Sequence, residues 1–198
     1  MTDITAVFER EQTELAASTP PPIDELVGTV LQDVPLIDVA GGPVQLSAVL
    51  DRPAVLVLYR GAWCPFCNSA LRAYQQELVP ELAERDVALV AVSPQRPDGS
   101  LSMREKNELT FTVLSDPGNQ VATALGVLTG PSPEARAAQL ELGLDLEAVN
   151  ADGTAVLPMP TVVILDGDRT IRWIDVHPNY GTRTTPGDIL AALDTLED

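Results

Sequence analysis

Residues 52–60, RPAVLVLYR, form an apolar run closed by charge at both ends. A strand with one wet face alternates polar and apolar residues; an unbroken Val/Leu run reads as a strand covered on both faces. The run passes through GAWCPFC (61–67) into Leu71, Tyr74, Leu78 and Leu82, which recur at helical spacing. VALVAVS (87–93) then supplies a second buried strand. Strand, helix and strand in this order are the building unit of an α/β layer fold with a central sheet flanked by helices.

The rest of the chain fits that frame. Residues 2–17 read as an amphipathic helix, with Ile4, Val7, Phe8 and Leu15 near one face. STPPPIDE (18–25) breaks it, so this helix is an appendage laid on the main domain or on a partner subunit. The expected division is 1–28, helix and proline-rich linker, and 29–198, the main domain. VPLIDVAGGPVQLSAVL (34–50) reads as strand, Gly-Gly turn, strand and a short helical turn, an N-terminal hairpin. Helices are expected over 98–109 and 119–127, with a strand at 111–116 between them. PTVVILD and RTIRWIDV (160–166 and 169–176) form a hairpin. TPGDILAALDTLE (185–197) is a capped amphipathic helix. Residues 131–150 lean towards helix and carry no recognisable chemistry.

Charge and hydropathy exclude some classes of function. A formal net charge of −17, spread along the chain, repels nucleic-acid phosphates and anionic lipid, so neither nucleic acid nor membrane is an expected partner. The apolar runs are too short to cross a bilayer. The acidic start, MTDITAVFEREQTELAAS, lacks the basic head and apolar core of a secretory signal, so the expected location is cytoplasmic.

The chemistry-bearing residues are the two cysteines of the chain, Cys64 and Cys67. With the strand ending near Arg60, Pro65 suits the first helical position, where its missing N–H costs nothing. Cys64 then falls at the N-cap, where free N–H groups and the helix dipole favour a thiolate. Cys67 lies one turn on, close enough to close a disulfide. A structural disulfide fits poorly with a cytoplasmic chain. Zinc needs two more ligands, and with no further cysteine and His177 as the single histidine no metal is expected. A C-x-x-C pair in a βαβ setting points to redox work without a cofactor.

GGPVQLSAVLDRPAVLVLYRGAWCPFC, followed by VALVAVSPQ and LTFTVLSDPGNQVATALGV, resembles the AhpC/TSA peroxiredoxin-like family of the thioredoxin-fold superfamily. The resemblance runs from about residue 29 to 127 and resumes near 157. It implies a thioredoxin-like fold with a central mixed sheet, and thiol-based reduction of peroxides or disulfides. Laying the peroxiredoxin pattern P-x-x-x-[TS]-x-x-C on RGAWCPFC places Cys67 at the peroxide-attacking position, Cys64 where Thr or Ser would stand and Arg60 where Pro would stand. The arginine that peroxiredoxins carry at a later strand falls on Pro160.

W-C-x-x-C is instead the thioredoxin motif, and MPT (159–161) resembles the thioredoxin cis-proline loop, which implies a cis Met159–Pro160 bond. The buried thioredoxin acid falls on Leu58. Thioredoxin logic makes Cys64 the exposed nucleophile, and peroxiredoxin logic gives that role to Cys67; the helix-end argument leans to Cys64. Trp63, Pro65, Phe66, Pro160 and Thr161 are expected to line the substrate site. Arg60 is a further candidate through its charge, against the ordinary reading of a solvated strand-end side chain. His177 reads as structural, and Arg183 has no assigned place.

The expected function is therefore peroxide reduction through a Cys64/Cys67 dithiol–disulfide cycle. A thioredoxin-like protein-disulfide reductase and a redox-sensing binding module are the alternatives. The implied partners are a peroxide or disulfide and an external thiol reductant, with room left for a homodimer.

Overall fold

In the computed structural model, which describes residues 3–18 and 21–197, the segments read above as strand or helix take those forms. Thr2 of the first helix and Thr19 and Pro20 of the proline-rich break lie outside the described residues. Helix α1 (Ile4–Ala17) starts at Asp3, whose carboxylate caps the N–H groups of Thr5 and Ala6. After a 3-10 turn at Asp24–Leu26 come the hairpin β1 (Pro35–Ile37) and β2 (Pro43–Gln45), then the short α2 (Leu46–Val49). Strand β3 (Ala54–Leu58) leads to α3 (Pro65–Ala73).

Helix α3 runs through a π turn, Tyr74–Leu78, into α4 (Val79–Glu84). Pro80 accounts for the widened turn: it has no N–H for the Gln76 carbonyl, and its ring would press on that group. The Val79 N–H reaches back to the Tyr74 carbonyl instead, a π-type bond.

There follow β4 (Ala88–Ser93), α5 (Pro97–Lys106), β5 (Thr112–Ser115) and α6 (Gln120–Ala124). Then come β6 (Leu128–Thr129), α7 (Pro133–Glu141), α8 (Leu146–Val149) and β7 (Leu157–Pro158). The chain ends with β8 (Thr161–Leu165), β9 (Ile171–Val176) and α9 (Pro186–Glu197). A reciprocal capping box opens α9: the Asp188 N–H donates to Thr185 Oγ1, and the Thr185 N–H donates to the Asp188 carboxylate.

The main sheet is mixed, in the order β2-β1-β5-β4-β3-β8-β9. Strand β3 pairs in parallel with β4 and antiparallel with β8, and β9 returns antiparallel along β8. The apolar run that opened the sequence reading is therefore central. Its period-two geometry sends Leu56 and Leu58 to one core, with Leu46, Val90, Leu114 and Val163. It sends Val55, Val57 and Tyr59 to the other, with Leu71, Tyr74, Leu78 and Ile189. Cys64 and Cys67 belong to this second core. The apolar spacing of 71, 74, 78 and 82 is thus the inner face of the helix the dithiol heads.

Residues 130–156 leave the sheet through a ribbon of two strands of two residues each, β6 and β7. Strands this short carry no periodicity, and the sequence shows only the helical lean of the segment between them. Helix α1 lies against α7 in this lobe, with Val7, Ala135 and Ala138 buried between them and Ile4 and Phe8 alongside. Glu11, on the same buried side of α1, accepts the N–H of Ser132, the N-cap of α7, at 2.8 Å.

Candidate active site

Beyond β3 the backbone turns sharply. Gly61 has φ +152°, and a Cβ there would lie 2.5 Å from Trp63 Nε1 and 2.8 Å from Gln95 Cδ. Only glycine fits. Gln95, from the end of β4, accepts the Ala62 N–H at 2.5 Å. From the helix side, Asn68 Nδ2 donates to the carbonyls of Ala62 and Cys64, each at 2.8 Å, and Asn107 holds the Asn68 oxygen at 2.8 Å. These polar clamps fix the cysteine loop between sheet and helix.

Cys64 takes the N-cap with Pro65 behind it, as expected, but its side chain makes no capping bond. Both thiols are free, and each residue is 1% exposed, so Cys64 lacks the exposure that the thioredoxin reading gave it. Arg183 closes the site from the other side. Its Nη2 donates to Cys67 Sγ at 3.0 Å and lies 3.7 Å from Cys64 Sγ. Its Nη1 is held by the carbonyls of Tyr180 and Thr182.

Burial alone would push the Cys67 thiol up, but the Cys64 S–H and the Arg183 guanidinium outweigh it and bring it down to about 5. The same hydrogen bond to Cys67, together with burial, pushes Cys64 up. The helix-end argument leaned to Cys64, whereas the contacts around the pair favour the anion on Cys67. The reason is the Cys64 S–H together with a cation from a distant loop.

The residues expected to line the substrate site fall on two sides of the dithiol. Pro160 and Thr161 bound a cavity of only about 10 Å³ behind Cys67, with Tyr74, His177 and Arg183. The Met159–Pro160 bond is trans, against the expected cis form, and the described residues hold no cis peptide. A trans proline is compatible with the first position before a strand. Thr161 Oγ1 donates back to the Met159 carbonyl. His177 is structural in its bonding: it meets Asp175 through Nε2 at 3.1 Å and Thr182 through Nδ1 at 2.8 Å.

Arg60, Trp63, Pro65 and Phe66 line the other side, a cleft of about 550 Å³ whose floor includes Cys64. Phe8 and Gln12 of α1 and the 142–144 turn form its roof. Arg60 is not solvated as a strand-end arginine usually is. It is 5% exposed, with its guanidinium carbon 3.9 Å from the Tyr180 ring centre and 4.9 Å from that of Trp63. The Tyr180 hydroxyl donates to Glu11 at 2.8 Å, which ties α1 to this stack.

Sequence reasoning did not assign Arg183, Tyr180, Glu11, Gln95 or Asn68 to the site. For Arg183 a signal existed: β9 returns along β8, so the loop after it must arrive beside Thr161 and the cysteines. Glu11 and Gln95 left no such trace.

A pair of free cysteines at the head of a helix, beside an inner strand of a mixed sheet, makes a candidate thiol-redox site on a thioredoxin-like fold. The chain belongs to the AhpC/TSA family, which it matches over residues 27–174. Peroxiredoxin Q, chloroplastic, of Sedum lineare is 29% identical over 110 residues, 56% of this chain and 53% of that protein. The chain spans about half the length of the curated relatives it matches. Peroxidoxin BcpB from Mycobacterium tuberculosis superposes with a TM-score of 0.65 at 23% identity, covering 86% of this chain and 96% of that one. Reduced Prx3 from Vibrio vulnificus, solved in complex with H2O2, gives 0.68 at 18% identity, covering 84% and 97%. At such identities the likeness speaks for the fold, and it agrees with the mixed sheet described above.

Proposed function

We propose that the protein is a thiol peroxidase that cycles Cys64 and Cys67 between dithiol and disulfide. The observation that carries this reading is the Arg183 guanidinium 3.0 Å from Cys67 Sγ, which holds that sulfur as the nucleophilic anion. The Cys67 thiolate attacks the peroxide's hydroxyl oxygen and the O–O bond breaks; that oxygen stays on Cys67 as a sulfenic acid, and the departing alkoxide or hydroxide takes a proton from water to leave as alcohol or water. The Cys64 sulfur then attacks the sulfenic sulfur, water departs, and the disulfide forms. Two equivalents of an external thiol return both sulfurs to the reduced state.

In this cycle Arg183 supplies, from the loop after β9, the cation that Pro160 cannot. The enclosed space behind Cys67 is too small for a peroxide. Approach therefore displaces the half-buried Arg183 side chain or the Cys64 thiol. A cytoplasmic setting, where thiols are kept reduced, suits such a cycle. No helix among the described residues is long and apolar enough to cross a membrane.

The test is a pair of variants exposed to hydrogen peroxide. Cys64→Ser keeps the attacking sulfur, so a dimedone adduct should form on Cys67 while turnover with a dithiol reductant is lost. Cys67→Ser should neither consume peroxide nor trap dimedone. Undiminished turnover in both variants rules the cycle out.

A further inference from the structure

We propose that the cleft over Cys64 is the electron-donor site of this cycle, and that it takes a low-molecular-weight thiol with an anionic group, such as a carboxylate, on an apolar body. The proposal rests on the Cys64–Cys67 disulfide of the reading above and adds to it the class of reductant.

The position of the cleft comes first. Of the two sulfur-bearing residues, Cys64 lines it and Cys67 lies on the far side. In the disulfide, the sulfur that an incoming molecule can meet from this side is therefore that of Cys64. Exchange is fastest when the sulfur left behind is the better anion. That sulfur is Cys67, already held by Arg183. Access and leaving-group stability choose the same direction of attack.

Its size and lining set the occupant. About 550 Å³ is the volume of a small-molecule site. Phe8 and Gln12 of α1 and the 142–144 turn line the same cleft, so a flat protein surface cannot bring a sulfur to Cys64 without those elements moving. Trp63, Phe66 and Leu144 give an apolar lining.

Arg60 supplies the charge. It is 95% buried by its 5% exposure, and no carboxylate pairs with it among the described residues. Its Nε has no hydrogen-bond acceptor, and Gln139 Oε1, from another lining residue, has no donor. A buried cation lacking a counter-ion, beside an open volume, marks a place for an anionic ligand group.

The electron balance closes. A donor thiolate attacks Cys64 Sγ, the Cys64–Cys67 bond breaks, and Cys67 leaves as the thiolate. A second donor thiol attacks the donor sulfur of the mixed disulfide. Cys64 takes up a proton and two donor thiols leave as one disulfide, which accounts for the two electrons.

The experiment starts from protein oxidised with diamide, so that it does not depend on peroxide chemistry. Return of the protein thiols is followed with mercaptopropionate, mercaptoethanol and cysteamine, each rate expressed per thiolate. The expected order is anionic, neutral, cationic, with mercaptopropionate ahead of mercaptoethanol by about tenfold, the scale of one charge-assisted hydrogen bond. Arg60→Gln should remove the preference and Arg60→Lys should restore part of it; the charge series on the unaltered protein needs no variant to fold. A neutral thiol that matches the anionic one, or a preference that survives Arg60→Gln, overturns the assignment. So does micromolar thioredoxin that outpaces millimolar mercaptopropionate. If diamide forms no Cys64–Cys67 disulfide, the cycle itself fails; if it forms and the charge order is absent, only the cleft assignment falls.

Discussion

Cys64 and Cys67 stand one helical turn apart, equally buried, yet they face different surroundings. Cys67 looks inward, to Arg183, Thr161 and the end of the β8–β9 hairpin, with almost no free volume around it. Cys64 looks outward to a cleft roofed by α1 and the 130–156 lobe. The chain spacing puts both sulfurs at the head of one helix, but it does not decide which is the anion. In the cycle proposed above, that falls to the Cys64 S–H and to a guanidinium 116 residues beyond Cys67. Local backbone polarity falls off within a turn and acts on both sulfurs, whereas a single charge in a dry site acts most on the nearer one.

The sharpest way to break this contrast is to remove the charge. Arg183→Met should raise the Cys67 pKa by roughly 1–3 units. It should slow its reaction with peroxide at neutral pH by about tenfold or more, measured by stopped-flow fluorescence with thiol titration alongside. Arg183→Lys should recover part of the rate. In the unaltered protein the rate should climb as pH rises through about 5 and then level off.

Stability should follow the same group. Unfolded cysteine titrates near about 8.5. Between about 5 and that value the unfolded chain therefore carries the extra proton, and stability rises with pH. What Cys67 contributes is lost as pH falls through about 5. Cys64, pushed up, works in the other direction, and its contribution fades as pH climbs above the unfolded value. A reduced-protein melting series that is flat across this range would show the two sulfurs to be electrostatically alike.

A smaller effect should come from the turn both sides share. Gly61→Ala brings a methyl group into Trp63 and Gln95 at a positive φ, so a loss of about 1–3 kcal/mol is expected by denaturant titration. Smallest is Tyr180→Phe, which strips one bond from Glu11 and leaves the ring over Arg60 in place. About 1 kcal/mol of stability should go, with the chemistry at Cys67 unchanged.

The sheet was readable because its signals are local. The run at 54–58 is long and apolar enough to declare a doubly covered strand, and Leu71, Tyr74, Leu78 and Leu82 declare the helix behind it. The cysteine pair was readable for the same reason, since motif and elements lie in one stretch. The trans bond before Pro160, the burial of Arg60 and the pairing of Arg183 with Cys67 were not, because each depends on what tertiary packing brings alongside. Residues 131–150 showed helix and nothing more: that Gln139 and the 142–144 turn line the cleft depends on where β6, β7 and the Gln95–Asn150 bridge place the segment rather than on its composition.

That placement has a consequence of its own. The lobe leaves and rejoins the fold through the β6–β7 ribbon, is bonded to the turn after β4 where the Arg96 N–H meets the Val149 carbonyl and the Ala151 N–H meets the Pro94 carbonyl, and takes α1 against it through Glu11. Changes of length in the 142–144 turn, away from the bonds that tie residues 149–151 to the Gln95 segment, should reshape the opening above one sulfur and leave the strand register of the main sheet untouched. If the cleft admits the donor as proposed, selectivity would be tuned in that turn and reactivity at the dithiol.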